Sequence, residues 1–417
     1  MSNVASEPSG ARVPLLLPSP GLLRASALWI TAANWAEAMA EIVGAADIVA
    51  GDRVLTAEAV REELTGLERS GPRGRPGPWR TSRPAVTAET LIKDWRWLVR
   101  GRLRPAAMPS PSRYRGTPLV WQHHDPFHVR GRALADRLGV PLVQYVDAPY
   151  VWEARRWGIR RPGWEWLTAR YGDGGPLRSA DLILAVSDEV AEAVRAAGVA
   201  PERILVTQCT ADLRYFDRGQ RHEVRAELGL ADAFVIGWAG TFRPFHALDL
   251  LLDAFEAVAA VERNSHLLLV GDGPMAMHER DRVAKSGLDH RITFTGSVPH
   301  TRVGRFVSAF DVAVLQAQST ESFHYSPMKL REYLAAGVPV VGADVGDVSR
   351  LITRSRAGWL VPAGDATSLA NRLIQTARDP EGTAALGRVA ADFAARELGT
   401  VVEARRVLEA AAALARP

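Results

Sequence analysis

From Phe234 to Thr376 short, almost wholly apolar runs alternate with amphipathic stretches. The runs are Phe234–Ala239, His266–Val270, Ile292–Phe294, Val312–Leu315, Val338–Val341 and Gly358–Val361. Helical spacing recurs between them, at Leu248–Val261, Met275–Ser286, Arg302–Ala309, Pro327–Ala336, Val348–Thr353 and Thr367–Ala377. A strand with no polar face has to be covered on both sides. Right-handed crossovers through the intervening helices satisfy that need, so the pattern predicts a doubly wound parallel α/β sheet.

The first half alternates less cleanly. Strands are expected at Val13–Leu17, Asp52–Leu55, Leu119–Gln122, Pro141–Val146, Leu182–Val186 and Ile204–Val206. Helices are expected at Trp35–Val43, Ala57–Leu67, Ala88–Val99, Arg130–Arg137 and Asp188–Ala197. The polar, arginine-rich stretch 212–231 separates the halves. The expected plan is a Rossmann-like domain over 1–211, a linker over 212–231, a second Rossmann-like domain over 232–396 and a last helix within 397–417. That helix falls too late for the second sheet and is free to pack back on the first domain. Ser70–Pro84 (SGPRGRPGPWRTSRP) is too rich in Pro, Gly and Arg for a regular element and is expected to be a mobile loop.

At 417 residues, 47% hydrophobic and 24% charged, the chain has the composition of a globular protein of two or three domains. No run approaches the ~18–20 apolar residues that span a bilayer. Val13–Leu17 is too short for a secretory leader, and Pro18 and Pro20 break the segment directly after it. The single cysteine, Cys209, has no intrachain partner. These features point to the cytoplasm. A net charge of +4 and a pI near 9.4 suit anionic small molecules or a membrane surface and do not call for nucleic acid.

Chemistry concentrates in Glu321–Val341, ESFHYSPMKLREYLAAGVPVV. Ser326 suits an N-cap and Pro327 a first helical residue, while Gly337 and Pro339 end the helix. A helix opening beside an inner strand presents free N–H groups and the positive end of its dipole. Lys329 lies in the first turn, where the dipole alone prefers an acid. A cation there points to a dianionic guest such as a diphosphate, with Glu332 in reach of whatever the diphosphate carries. Lysine otherwise occurs only at Lys93 and Lys285, every other base being arginine.

Other strand ends converge on the same edge, where doubly wound sheets bind ligands. Gly240 and Thr241 follow the first strand of this half, Gly240 allowing close backbone approach. Arg243 offers bidentate contact to phosphate oxygens, and His246 stands at a helix start. Gly271, Asp272 and Gly273 form a tight turn before Pro274. Gly296, Ser297, Val298, Pro299 and His300 follow the third strand. Singly, each reads equally well as structure: GDGP is a common turn, and Arg243 is an ordinary surface arginine. Their convergence is what points to a site.

The runs WAGTFRPFHALDLLLDAF, LLLVGDGP, ITFTGSVPHTRVGRFVSAFDVAVL, SPMKLREYLAAGVPVV and GWLVPAGDATSLANRL resemble, in order and spacing, the donor domain of the retaining GT-B glycosyltransferases of family 4. The first half resembles that family through LGVPLVQYVDAP, ADLILAVSDEV and ERILVTQCTADLRYF. The resemblance implies two Rossmann-like domains facing across a cleft, the second holding a nucleotide sugar and the first most of the acceptor site. It implies transfer with retention, no metal and no cofactor beyond the donor substrate, a UDP-sugar more often than a GDP-sugar. It implies a donor site of Gly240, Thr241, His246, Gly271, Asp272, Gly273, Val298, His324, Tyr325, Ser326, Pro327, Met328 and Glu332, the last hydrogen-bonding the ribose.

Three positions depart from the family pattern. His324 stands where the first of two glutamates is usual, Glu321 being out of register. Thr241 and His246 stand where Arg and Lys usually hold the diphosphate, so Arg243 and Lys329 are expected to carry that charge. Asp147 stands where the first domain often carries a histidine. It either orients an acceptor hydroxyl or the donor sugar, or caps the helix near Tyr150. His123 and His124, with Asp125, follow a strand and are candidates for acceptor contact, less so for a metal. Two rival readings stay open: a nucleotide-sugar epimerase, and a non-catalytic nucleotide-sugar-binding partner subunit. The basic, aromatic stretch Trp95–Arg104 suits a membrane surface or an anionic acceptor. Because Trp95 and Trp97 do not share a helical face, it is read here as a solvated helix with core-facing tryptophans.

Overall fold

The computed structural model describes residues 11–18, 26–68, 83–207, 214–320 and 327–414. Residues 70–82 of the expected loop and Cys209 lie outside them. Among the described residues, those within 1–63, 76–208 and 403–417 form one compact unit, and those within 64–75 and 209–402 form another.

The first unit holds a seven-stranded sheet of β1 (Arg12–Leu17), β2 (Ala45–Ala50), β3 (Arg53–Leu55), β4 (Val120–His123), β5 (Leu142–Val146), β6 (Leu182–Ala185) and β7 (Ile204–Val206). Their spatial order is β3-β2-β1-β4-β5-β6-β7. All neighbours pair in parallel except β2 and β3, which form an antiparallel hairpin. The chain therefore reverses its direction of winding between β1 and β4. Every residue of β4 and β5 is buried, so both faces are covered, and on one of them Trp121 packs 6.2 Å from Trp35 and 5.4 Å from Tyr145 between ring centroids.

Several elements of this unit differ from expectation. The strand expected over Asp52–Leu55 is the short return arm of a hairpin. The inner strand is Ala45–Ala50, whose alanines and aspartate carry little β-propensity and gain strand geometry from pairing with β1. The first helix starts at Ser26 rather than Trp35, because its opening turns are too buried to show a polar stripe. The last helix, Thr400–Ala412, joins this unit from Glu403 onward, and Thr207 Oγ1 donates to Glu403 Oε2 at 2.8 Å.

The helix Arg83–Leu98 corrects the reading of Trp95, while Trp97 is half-buried with its ring 6.5 Å from that of the buried His128. Thr90 and Asp94 are the helix's buried residues among those described, whereas Trp95 is 59% and Ile92 51% exposed. Asp94 accepts from Arg161 Nε at 2.7 Å and from Trp164 Nε1 at 2.9 Å. The helix is anchored by a carboxylate and turns apolar residues outward. Each apolar side chain so placed forgoes roughly 1.5–3 kcal/mol of burial.

The second unit holds β8 (Phe234–Ala239), β9 (Ser265–Val270), β10 (Ile292–Phe294), β11 (Val312–Leu315), β12 (Val340–Ala343) and β13 (Gly358–Val361). The order is β10-β9-β8-β11-β12-β13, all parallel. Successive residues of each strand enter opposite cores. Val235, Leu268, Val270 and Ala313 pack on one face, and Ile236, Trp238, Leu267, Leu269 and Val312 on the other. The expected linker carries the helix Arg221–Glu227, whose Arg221 and Arg225 both donate to Asp311 before β11, placing it in the second unit. The helix Pro380–Glu397, rich in Ala and Gly, carries too weak a stripe to be read in advance.

Candidate functional site

The winding of the second sheet reverses between β8 and β11, and such switch points are where doubly wound sheets open to ligands. Two loops meet there. Gly240 N donates to Val270 O at 2.9 Å, Phe242 N to Asp272 O at 3.0 Å, and Met275 N to Phe242 O at 3.1 Å. The loops after β8 and β9 are thus zipped together by backbone. Gly240 and Gly271 take φ of 151° and 127°, and a Cβ on Gly271 would lie 2.0 Å from Gly240 O. Only glycine fits such a pair. A Cβ on Gly273 would lie 2.6 Å from Phe242 N and O, and its N–H donates to Asp272 Oδ1 at 2.7 Å.

The helix Met328–Ala335 opens on the same edge, with Pro327 in the N-cap position rather than as first helical residue. Glu321, His324, Tyr325 and Ser326 lie outside the described residues. Tyr333 fixes the helix to β8, its hydroxyl accepting from Ala239 N at 2.7 Å. One turn earlier, Lys329 Nζ lies 4.1 Å above the centre of the Trp238 ring and would be 2.8 Å from a Cβ on Gly240. It is shut off from solvent and has no hydrogen-bond partner. Burial pushes this ammonium down to about 7, against a smaller upward pull from Glu332.

Glu332 is 7% exposed, and its Oε1 meets His300 Nε2 at 2.8 Å. Val298, in the same loop as His300, packs on the core. His246 Nδ1 donates to Thr241 O at 2.6 Å, and its ring lies 5.4 Å from Trp238. His246 thus holds the 240–247 loop in shape. Arg243 and Thr241 are exposed, and Met328 is half-buried. The structure therefore brings Gly240, Gly271, Gly273, Trp238 and Lys329 together, with Glu332 one helical turn beyond Lys329. Trp238 was missed because a strand tryptophan reads as core.

The first sheet offers a second cluster, at the carboxyl ends of β4 and β5. His123 Nδ1 and Nε2 each lie 3.0 Å from a carboxylate, Asp125 Oδ2 and Asp147 Oδ2 respectively. Burial pulls the imidazole down, yet the two carboxylates outweigh it and hold the ring up at about 10. His123 is thus a fixed imidazolium donating from both nitrogens. Asp147 is 45% exposed at its side chain, so it faces both His123 and solvent.

Two expectations for this cluster are overturned. Asp147 does not cap the helix Tyr150–Arg156. Asp173 does, its two oxygens accepting from Tyr150 N at 3.0 Å and Val151 N at 2.8 Å. His124 is not placed for acceptor contact. It is 4% exposed, with Nε2 3.1 Å from Asp173 and Nδ1 3.3 Å from Gln144. Sequence reasoning also missed Arg130, which is 3% exposed. Its Nη2 donates to Gly51 O and Ala107 O, at 2.8 and 2.6 Å, while Nε and Nη1 have no hydrogen-bond partner. His128 Nε2 is buried without a partner too. The available signal was position: Arg130 starts a helix after a strand-end loop, as Lys329 nearly does.

Among the described residues one group has metal-ligand spacing. Asp249, His278 and Glu279 bring ligand atoms within 4.8 Å of one another. They lie in the first turns of the helices Leu248–Val261 and Ala276–Ser286, and Arg282 already stands 3.6 Å from Asp249. No helix among the described residues is long and apolar enough to cross a membrane.

Residues 233–379 match the family described as glycosyl transferases group 1, and residues 48–215 match glycosyltransferase family 4. A D-inositol 3-phosphate glycosyltransferase of Saccharomonospora viridis is 30% identical over 308 residues, covering 71% of this chain and 69% of that protein. One from Mycobacteroides abscessus is 31% identical over 273 residues, or 63% of this chain, and the match spans only 58% of its length. Among solved structures, Anabaena Alr3699/HepE in complex with UDP superposes with a TM-score of 0.62 at 18% identity, over 96% of this chain and 98% of that one. WaaG, a glycosyltransferase involved in lipopolysaccharide biosynthesis, superposes with a TM-score of 0.57 at 13% identity, over 96% and 99%. At those identities the likeness is one of fold.

Proposed function

This chain belongs to the glycosyltransferases of family 4 and has their GT-B fold, and from that membership we propose that it moves a sugar from a nucleotide diphosphate to an acceptor hydroxyl, with retention and without a metal. The observation that carries the reading is Lys329 Nζ: a buried ammonium without a hydrogen-bond partner, beside the Gly240–Gly271 contact at the switch point. A buried cation left unspent costs stability unless a ligand uses it. A diphosphate fits against the glycine backbone, the helix N-terminus and this ammonium at once.

In this reading the bond from the anomeric carbon to the diphosphate oxygen breaks, and Lys329 and Arg243 receive the charge that develops on that oxygen. The acceptor oxygen bonds to the same face of the anomeric carbon, and its proton passes to the departing diphosphate. Glu332, held by His300, hydrogen-bonds the ribose. UDP is the favoured nucleotide, supported by the UDP and UDP-glucose complexes of the Anabaena protein. The name of the curated relatives supplies a candidate acceptor, an inositol phosphate. The unspent N–H groups of Arg130 are suited to such a phosphate, and Asp147 to a sugar or polyol hydroxyl.

The test is turnover of UDP-glucose and UDP-N-acetylglucosamine with a panel that includes inositol phosphates, the anomeric configuration of the product being read by NMR. Release of UDP with a product of the donor's own configuration supports the proposal. An epimerised donor formed without acceptor makes the chain an epimerase. UDP binding with no turnover on any acceptor leaves a binding subunit.

A further inference from the structure

The outward-facing side chains of the first unit present a second function, one that does not depend on the donor reading. Among the described residues every strongly exposed tryptophan or tyrosine lies in one of two segments: Trp95 in the first, and Trp157, Trp166 and Tyr171 in the second. Leu91 and Ile92 join Trp95 on the solvent side of the helix Arg83–Leu98. At 100° per residue, 91, 92 and 95 fall within one arc, opposite the buried Thr90 and Asp94. The two segments are joined, because Asp94 is the acceptor for Arg161 and Trp164. Trp166 and Tyr171 lie 6.4 Å apart.

Charge on the first segment has one sign. Lys93, Arg96, Arg100, Arg102 and Arg104 follow Leu91 within fourteen residues, and the only acid there, Asp94, is buried and neutralised by Arg161. Lys93, Arg96 and Arg100 are exposed and border the apolar arc on one side. Arg156 and Arg170 lie over Trp152 and Tyr171, 4.9 and 5.8 Å from the ring centres. The rim of a protein interface is polar but mixes charges, whereas the cations here carry one sign. Bulky apolar and aromatic side chains edged by long cations match instead the headgroup level of a bilayer, where rings sit at the interface and basic side chains reach anionic lipid. The proposed contact is peripheral, and no described helix is long and apolar enough to cross a membrane.

We propose that residues 91–104 and 157–171 form a surface that lies on bilayers of anionic phospholipid. The test is sedimentation of the full chain with vesicles of phosphatidylcholine alone and with about 30% phosphatidylglycerol. Binding is expected to the anionic vesicles, with a blue shift of tryptophan emission, and to fall at least tenfold as salt rises from about 0.1 to about 0.5 M. The triple substitution Leu91→Ser, Ile92→Ser, Trp95→Ser is expected to lose vesicle binding at least tenfold while keeping the wild-type melting temperature and UDP affinity. The pair Arg96→Gln, Arg100→Gln should remove the preference for anionic lipid. Absence of binding to anionic vesicles at low salt overturns the proposal, and so does wild-type binding by the triple variant. A dimer in solution that the triple variant converts to monomer also overturns it, by giving the face to a second copy of the chain.

Discussion

The two sheets wind alike, yet the groups that the sequence singles out at their carboxyl edges differ in how far their hydrogen bonds are satisfied. In the second sheet the glycine loops leave an ammonium, Lys329, with nothing to bond. In the first sheet the conspicuous groups are already spent on one another: His123 between Asp125 and Asp147, and His124 against an aspartate that also caps a helix. One edge leaves a buried cation without a hydrogen-bond partner, and the other ties its histidines to neighbouring carboxylates. The proposed donor site therefore rests on a group without a hydrogen-bond partner, whereas the candidate acceptor histidines are bonded to their neighbours.

The contrast can be broken most directly at Lys329. Lys329→Ala removes the unspent cation and is expected to lower turnover about 10²–10³-fold, the usual loss of one preorganised donor at developing charge. Steady-state UDP release measures it, and a loss under about threefold would show that the edge is not built around a diphosphate. On the first edge, His123→Ala frees two carboxylates and is expected to cut transfer by about 10–100-fold. Donor affinity should stay unchanged by calorimetry, because no donor contact is assigned there.

A smaller effect sharpens the same distinction. The free-state Lys329 ammonium sits near 7, well below the ordinary lysine value, because it is buried. A bound dianion favours the charged form and raises it, so binding takes up a proton above that pH. Affinity for UDP is then full below about pH 7 and falls by up to about tenfold per pH unit above it, a slope that Lys329→Met should abolish. The smallest expected effect on catalysis is that of Asp173→Ala, which removes a cap. It should cost about 1–2 kcal/mol in thermal unfolding and leave UDP affinity untouched.

Legibility in the sequence tracks how locally each feature is encoded. The second sheet was legible because strands buried on both faces read as continuous apolar runs, and the glycine loops because close backbone approach admits one residue type. β2 was not, since its strand geometry comes from its neighbour rather than from Ala45, Ala46 and Asp47 themselves. Asp173 as the cap of Tyr150 was not, because it lies 23 residues away and reaches the helix only through the fold. Trp95 was assigned to the core because composition favours burying tryptophan, and the buried Asp94 that turns it outward depends on Arg161, 67 residues distant.

The central claim is that the edge of the second sheet is a diphosphate site completed by Lys329. Isothermal titration of UDP into the wild-type chain and into Lys329→Ala at about pH 6.5 tests it most directly. The account predicts one site per chain, weakened at least about tenfold (about 1.4 kcal/mol) by the substitution. Equal affinity in both proteins, or no UDP binding to the wild type, would contradict it.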